Sequence, residues 1–432
     1  MKKIGIISDD LTGANDSGVQ LTEKGITTSV FFDIPTGRNH LDEGIVINTN
    51  SRALSVPEAI SKNKQSALYL KNNGYKYIYK KMDSTIRGHI AEEVDIISKE
   101  IKSEFVFVAP AFPALGRKTV NGSHYLNDKR IEETEVSNDP VHPVKNSHLP
   151  TIFSKVINEK VATLTFKDIR NGFEKFKEKV NEFKQEDINY IVCDAEKESD
   201  LKLASLYMMK ISDDILWVGS AGLAEVLPDV LGISNQNSLH QDLKSNQVLT
   251  ISGSLSEVSQ QQLQYAMSKE GMRGIEINTV KVFDQEWDEY SSSIVKSAKE
   301  ILNSSSDLLV YLPSNEKIRE AVVQKARENG YDEKDIGNII SESISMIAYR
   351  IVSENSNING LVLSGGDTAK GVADKLGGIG IQLIKQVETG IPLGTLIDTS
   401  KKYHVVTKAG AFGHKKSIYK AMMELKGVMG DE

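Results

Sequence analysis

The strongest constraint on the fold of this chain is a repeated unit: a short apolar run, then small polar residues, then an amphipathic stretch. Ile4-Gly5-Ile6-Ile7, Phe105-Val106-Phe107-Val108, Tyr190-Ile191-Val192-Cys193 and Leu361-Val362-Leu363 are runs of this kind. Runs with no polar alternation read as strands covered on both faces, the pattern of parallel sheets. Strands alternating with helical stretches then predict an α/β protein, each sheet mostly parallel and flanked by helices. At 432 residues the chain exceeds what one core supports, so two domains are expected. Polar Gly232 to Gln247 reads as the linker, giving domains 1–235 and 247–432.

In the first half further strands are expected at Thr27 to Phe32, Ile45 to Ile47 and Tyr77 to Tyr79. A capping box at Ser55-Val56-Pro57-Glu58 should open a helix running to about Leu70. The stretch Pro110 to Pro150 breaks the rhythm and reads as an irregular loop or flap, because proline and glycine crowd its start. In the second half strands are expected at Val248 to Ile251, Gly274 to Ile277, Leu308 to Leu312, Gly360 to Leu363, Ile381 to Ile384 and Tyr403 to Val406.

A net charge of −7 argues against nucleic acid or an anionic membrane as partner. No apolar run is long enough to span a bilayer, and Met1-Lys2-Lys3 leads into a strand rather than a signal peptide, so a cytoplasmic protein is expected. The single cysteine, Cys193, lies in an apolar strand and reads as a buried thiol. His89, His124 and His142 lack metal-ligand spacing, and no metal ligand is assigned.

With this charge, an anionic substrate needs a local cationic pocket, for which Lys80, Lys81, Arg87, Arg117 and Lys118 are candidates. Three of them lie in Lys80-Lys81-Met82-Asp83-Ser84-Thr85-Ile86-Arg87-Gly88, a polar loop between a strand and a helix. Such loops sit at the carboxyl end of a sheet, where open α/β folds bind ligands. Arg87 can grip a carboxylate or phosphate with its planar fork, while Asp83, Ser84 and Thr85 can bond the hydroxyls of a polyol. The same loop also reads as a plain helix cap. Asp9 and Asp10 end the first strand, where they can orient a hydroxyl, take its proton or cap the following helix. Arg52 follows another strand and reads equally as an anion contact or a surface residue.

Three strand-to-helix turns in the second half have small residues: Ser252-Gly253-Ser254-Leu255-Ser256, Ser364-Gly365-Gly366-Asp367-Thr368 and Thr407-Lys408-Ala409-Gly410. Glycines there let backbone N–H groups face an anion, and a helix N-terminus adds its dipole. Together they point to a nucleotide phosphate site that is neither a P-loop nor a Rossmann turn.

These segments, with Asp9-Asp10-Leu11-Thr12-Gly13-Ala14, Pro110-Ala111-Phe112-Pro113, Gly116-Arg117, Asp139-Pro140 and Gly219-Ser220-Ala221-Gly222, resemble the four-carbon acid-sugar kinase family over nearly the whole chain. The resemblance implies an N-terminal domain that binds the sugar acid and a C-terminal domain that binds ATP with its Mg²⁺. It implies phosphorylation of the 4-hydroxyl of a four-carbon aldonate, D-threonate first, with D-erythronate or a 3-oxo-tetronate as alternatives. Leu11 and Asn15 to Gln20 look more like threonate or erythronate kinases, whereas His142 and Ala409 depart from the family's usual residues. The implied substrate contacts are Asp9, Asp10, Thr12, Arg52, Lys81, Asp83, Ser84, Thr85 and Arg87. Among them Asp10, Lys81, Asp83 and Arg87 carry the chemistry, with Asp10 the first choice of base. The implied nucleotide contacts are Ser254, Ser256, Gly365, Gly366, Asp367, Thr368 and Gly410. Closure of the two domains to exclude water and assembly as a homodimer are further expectations. Two other classes stay open: an aspartate-based phosphatase, disfavoured because Leu11 and Thr12 follow the aspartates, and a non-catalytic sugar-acid sensor.

Overall fold

The computed structural model describes residues 3–38, 41–139, 141–235 and 243–428. It divides into two compact units, Met1–Leu239 and His240–Glu432. Residues 236–242 of the expected linker lie outside the described residues, as do Met1, Lys2 and Pro140.

The first unit contains β1 (Ile4–Ser8), β2 (Thr28–Phe31), β3 (Gly44–Asn48), β4 (Tyr77–Lys81) and β5 (Phe105–Ala109). It continues with β6 (Arg117–Val120), β7 (Ser123–Leu126), β8 (Lys129–Arg130), β9 (Val161–Leu164), β10 (Tyr190–Cys193) and β11 (Ile215–Gly219). The main strands lie in the order β2-β3-β1-β4-β11-β5-β10-β9. All these pairings are parallel. Ile6, Ile7, Val46 and Ile47 are fully buried, each contributing about 1.5–3 kcal/mol of burial free energy. Helices α1 (Leu11–Glu23), α2 (Val56–Asn72) and α3 (Ile90–Ile101) follow β1, β3 and β4. The expected capping box opens α2, with the Ser55 N–H donating to Glu58 at 3.1 Å.

Chain direction across the sheet reverses between β1 and β4: β3 and β2 lie on one side, β4 on the other. This is the topological switch point, where a crevice opens beyond the strand ends. Ser8 pairs with Lys81, so the turn after β1 and the loop after β4 leave the sheet side by side.

The stretch from 110 to 150 is more regular than expected. β6, β7 and β8 form an antiparallel sheet of their own. Its tight turns use Asn121 (φ 49°) with Gly122 (φ 73°), and Asn127 (φ 47°) with Asp128 (φ 66°). Asn-Gly between two strands is a strong hairpin signal that the proline-rich start of the segment obscured.

The second unit contains β12 (Gln247–Ser252), β13 (Met272–Glu276), β14 (Asp307–Tyr311), β15 (Ile358–Ser364), β16 (Gly380–Glu388), β17 (Ile391–Ile397) and β18 (His404–Lys408). They lie in the order β13-β14-β12-β15-β18-β17-β16. Pairing is parallel as far as β18, then antiparallel. The hairpin strand β17 escaped the sequence reading, because Pro392 and Gly394 lower its strand propensity.

Candidate active site

Asp10 is both cap and site residue. Its Oδ1 accepts from the Gly13 N–H at 2.8 Å, closing the first turn of α1, and its Oδ2 takes Arg52 Nη1 at 2.9 Å. Arg52 Nε bonds Asp9 Oδ2 at 2.8 Å, and Nη2 lies 3.5 Å from Asp83 Oδ1. One guanidinium therefore joins three carboxylates from the ends of two adjacent strands. Burial and the neighbouring Asp9 charge push the Asp10 carboxyl up, against the pull of Arg52 and Lys81. The Asp10 side chain keeps 27% of its surface exposed, so a ligand can reach it. Asp9 is buried, and its Oδ1 has no hydrogen-bond partner among the described residues.

Asp83 is differently placed. Arg87 Nε and Nη2 grip it at 2.9 and 3.1 Å, and the Thr85 hydroxyl and N–H also donate to it. Burial alone would raise its carboxyl, but the Arg52 charge and the Arg87 hydrogen bonds hold it well below the usual range. Such a carboxylate stays ionised and is a poor proton acceptor. Ile86 takes a left-handed conformation (φ 58°), uncommon for a β-branched residue, to wrap the loop around Asp83. No spacing rule foretells it.

Several cations differ from expectation. Lys80 belongs to β4, not to a loop. It is fully buried, with Nζ 2.6 Å from Glu93 and 3.2 Å from Asn63 Oδ1, and so serves the core rather than an anion pocket. The Lys118 ammonium pairs with Asp128 on the hairpin. Arg87 does not present a free fork here: beyond Asp83 it reaches Asp139 at 3.2 Å. Lys81, the last residue of β4, donates to the Met82 carbonyl at 2.8 Å. A Cβ on Gly13 would lie 2.8 Å from both Lys81 Nζ and Asp10 Oδ1, so the ammonium stands close to the Asp10 carboxylate. Thr12 lies one residue into α1 and is partly exposed.

The histidines hold the loops. His124 Nε2 meets the Ser84 carbonyl at 3.0 Å and Nδ1 meets Thr119 Oγ1 at 3.0 Å. Burial pulls its pKa down to about 4, so the ring is neutral, donates from Nε2 and accepts at Nδ1. His142 contacts the Arg52 carbonyl and packs edge-on against His89, with ring centroids 5.0 Å apart. No group of metal-ligating side chains occurs among the described residues.

In the second unit Ser252 pairs with Ser364, and Ser364 with Lys408, so the three small-residue turns leave the sheet as neighbours. Their packing is tight. A Cβ on Gly253 would lie 2.1 Å from Thr368 Oγ1, and one on Gly410 would lie 2.2 Å from Ser254 Oγ. Ser256 caps the helix Glu257–Met267 and donates to the Gly410 carbonyl at 2.7 Å. Gly365 has φ 112°, open only to glycine, and starts the helix Gly366–Lys375 without a side-chain cap. Gly366 and Asp367 are exposed, and a Cβ on Gly366 would meet nothing within 4 Å. This helix thus starts at an exposed turn with no side-chain cap on its first N–H groups. Lys408 is not a free cation. It is buried, and its Nζ donates to the Ala409 and Gly410 carbonyls, both at 2.9 Å, while burial draws its pKa down to about 8.

Comparison with known proteins finds a sugar-binding N-terminal domain over residues 4–227 and a nucleotide-binding C-terminal domain over 249–418. A D-threonate kinase of Salmonella typhimurium is 29% identical over 97% of both chains. A D-erythronate kinase of Heliobacterium modesticaldum is 26% identical over 96% of this chain and 95% of that one. A 3-oxo-tetronate kinase of Salmonella typhimurium is 24% identical over 99% of this chain and 100% of that one. A crystal structure from Salmonella typhimurium LT2 shares the fold with a TM-score of 0.84, at 22% identity, over 98% of this chain and 100% of that chain. The chain belongs to the four-carbon acid-sugar kinase family and is a phosphotransferase.

Proposed function

We propose that this protein uses ATP to phosphorylate the 4-hydroxyl of a four-carbon acid sugar, D-threonate in the first place. The observation that carries this reading is the contrast between Asp10 and Asp83. Two carboxylates share one arginine, yet Arg87 and Thr85 keep Asp83 ionised while burial and Asp9 raise Asp10. Pairs whose environments push their pKa values apart mark the division between base and positioning group. Asp10 accepts the hydroxyl proton. The unpartnered Oδ1 of Asp9 offers an acceptor to a neighbouring hydroxyl. Lys81 supplies positive charge beside the reacting oxygen, and Asp83 with Arg87, Ser84 and Thr85 shapes the pocket wall.

Gly365, Gly366, Thr368, Ser254, Ser256 and Gly410 suit a nucleotide phosphate: tight where the turns touch each other and open at Gly366, where an uncapped helix begins. ATP, when bound, supplies the phosphoryl group. Asp367 at the same helix start is exposed, and its carboxylate would repel phosphate unless a cation lay between. Mg²⁺ carried with ATP meets that requirement with few protein ligands. On this reading residues 1–235 and 247–432 are the acid-sugar and nucleotide domains of a cytoplasmic homodimer. No described helix is long and apolar enough to cross a membrane.

The relatives whose names include erythronate and 3-oxo-tetronate make specificity the open variable. The test is ADP release from Mg-ATP across four-carbon acid sugars, with the product position read by NMR. D-threonate should give the highest kcat/KM and a 4-phosphate. No ADP release with any of these acids, or phosphate release without ATP, would overturn the reading.

A further inference from the structure

Around the candidate substrate pocket most cations are already spent. Arg52 is held by Asp9, Asp10 and Asp83, Arg87 by Asp83 and Asp139, and Lys80 by Glu93. Among the arginines, Arg117 is the exception. Its Nη1 donates to the Leu115 carbonyl at 2.7 Å, its Nε is buried without a partner, and no carboxylate pairs with it among the described residues. A guanidinium left this way lacks the charge partner that buried cations require. Its charge is nonetheless felt by the pocket, because Asp83, Asp16 and Arg87 all act on it electrostatically.

The hairpin that carries Arg117 is pinned in place. Thr119 exchanges backbone hydrogen bonds with Ala195, both at 3.0 Å, and Asp194 accepts from the N–H groups of Asn121 at 2.7 Å and Gly122 at 2.9 Å. Thr119 pairs across the hairpin with His124, whose ring docks on the Ser84 carbonyl. Side chains two apart on a strand share a face, so Arg117 stands on the face where Thr119 and His124 meet the Asp83 loop, while Lys118 turns away to Asp128.

We propose that Arg117 binds the carboxylate of the acid sugar, while Asp10 and Lys81 meet its reacting hydroxyl. The inference rests on the acid-sugar kinase reading. It gives the substrate's anionic end a planar, two-toothed donor that Arg87 and Arg52 cannot offer without releasing aspartates.

The experiment compares D-threonate with its neutral amide in the full-length wild type, Arg117→Ala and Arg117→Lys, with Lys118→Ala as a control on the hairpin's other face. Steady-state kinetics and calorimetric titration without ATP are both read, and thermal melts show that each variant is folded. Arg117→Ala should raise KM and Kd for D-threonate on the order of 10- to 100-fold, as loss of a charged hydrogen-bond pair does. The values for the amide should hardly move, so the preference for the acid collapses. Arg117→Lys should recover only part of it, and Lys118→Ala should behave as wild type. Unchanged D-threonate affinity in folded Arg117→Ala overturns the inference. So does an equal fall in kcat for acid and amide, which would place Arg117 on the transferring phosphoryl group. A wild type that neither binds nor phosphorylates any four-carbon acid sinks the kinase reading itself.

Discussion

Gly366 allows an unusually clean test of the nucleotide site, because fold and binding respond to it in opposite directions. It is the first residue of the helix Gly366–Lys375, is exposed, and a Cβ there would meet nothing within 4 Å. Gly366→Ala therefore creates no clash, and replacing a helical glycine leaves stability unchanged or raises it by up to about 1 kcal/mol. Its neighbours are less suitable. Gly365→Ala would force a side chain into φ 112°, and Gly410→Ala would drive a methyl to 2.2 Å from Ser254 Oγ. If phosphate occupies the space before the helix, the new methyl displaces it from the N–H groups. Losing one charge-assisted hydrogen bond costs about 1.5–3 kcal/mol, or about 10- to 100-fold in Kd for ATP. Gly366→Val should abolish measurable binding. Calorimetric titration with ATP and with D-threonate, alongside thermal melts, reads all three quantities. The expected pattern is an undiminished melting temperature, unchanged D-threonate affinity and lost ATP affinity. Normal ATP binding by folded Gly366→Val would remove the phosphate from this turn and leave the kinase reading without a donor site.

Asp10→Asn should lower kcat about 10²-fold or more with D-threonate still bound, whereas Asp83→Asn should raise KM more than it lowers kcat; single-turnover kinetics showing the reverse would exchange their roles. Lys80→Met leaves Glu93 buried without its partner and should cost about 3–5 kcal/mol in urea unfolding; a loss below 1 kcal/mol would show the pair to be solvated. His124 is held at about 4 against an ordinary 6.5, so its depressed value favours the fold above 6.5, and this contribution is lost as pH falls toward 4. The loss is about 3 kcal/mol, and His124→Gln should flatten the stability profile over that window.

Much of the architecture is legible in the sequence, for a simple reason. A strand covered on both faces is mostly apolar, so Ile4 to Ile7 and Phe105 to Val108 announce parallel strands. The small residues after them announce turns at the ligand-binding edge of the sheet. Residue types near the pocket were visible in the same way: Asp9, Asp10, Arg52, Asp83 and Arg87 do meet in space. What the order of residues could not decide is which charge answers which. Lys80 and Lys81 are adjacent, yet strand alternation sends one into the core against Glu93 and leaves the other beside Asp10. Arg87 and Arg117 look alike as loop cations, but one is claimed by Asp83 and Asp139 and the other has no carboxylate partner among the described residues. Asp10 and Asp83 are chemically identical until Arg87, Thr85 and burial separate them. Local pattern sets element type because periodicity and burial act over a few residues. Pairing among charges depends on distances between segments far apart in the chain, and these exist only once the sheet has brought their ends together.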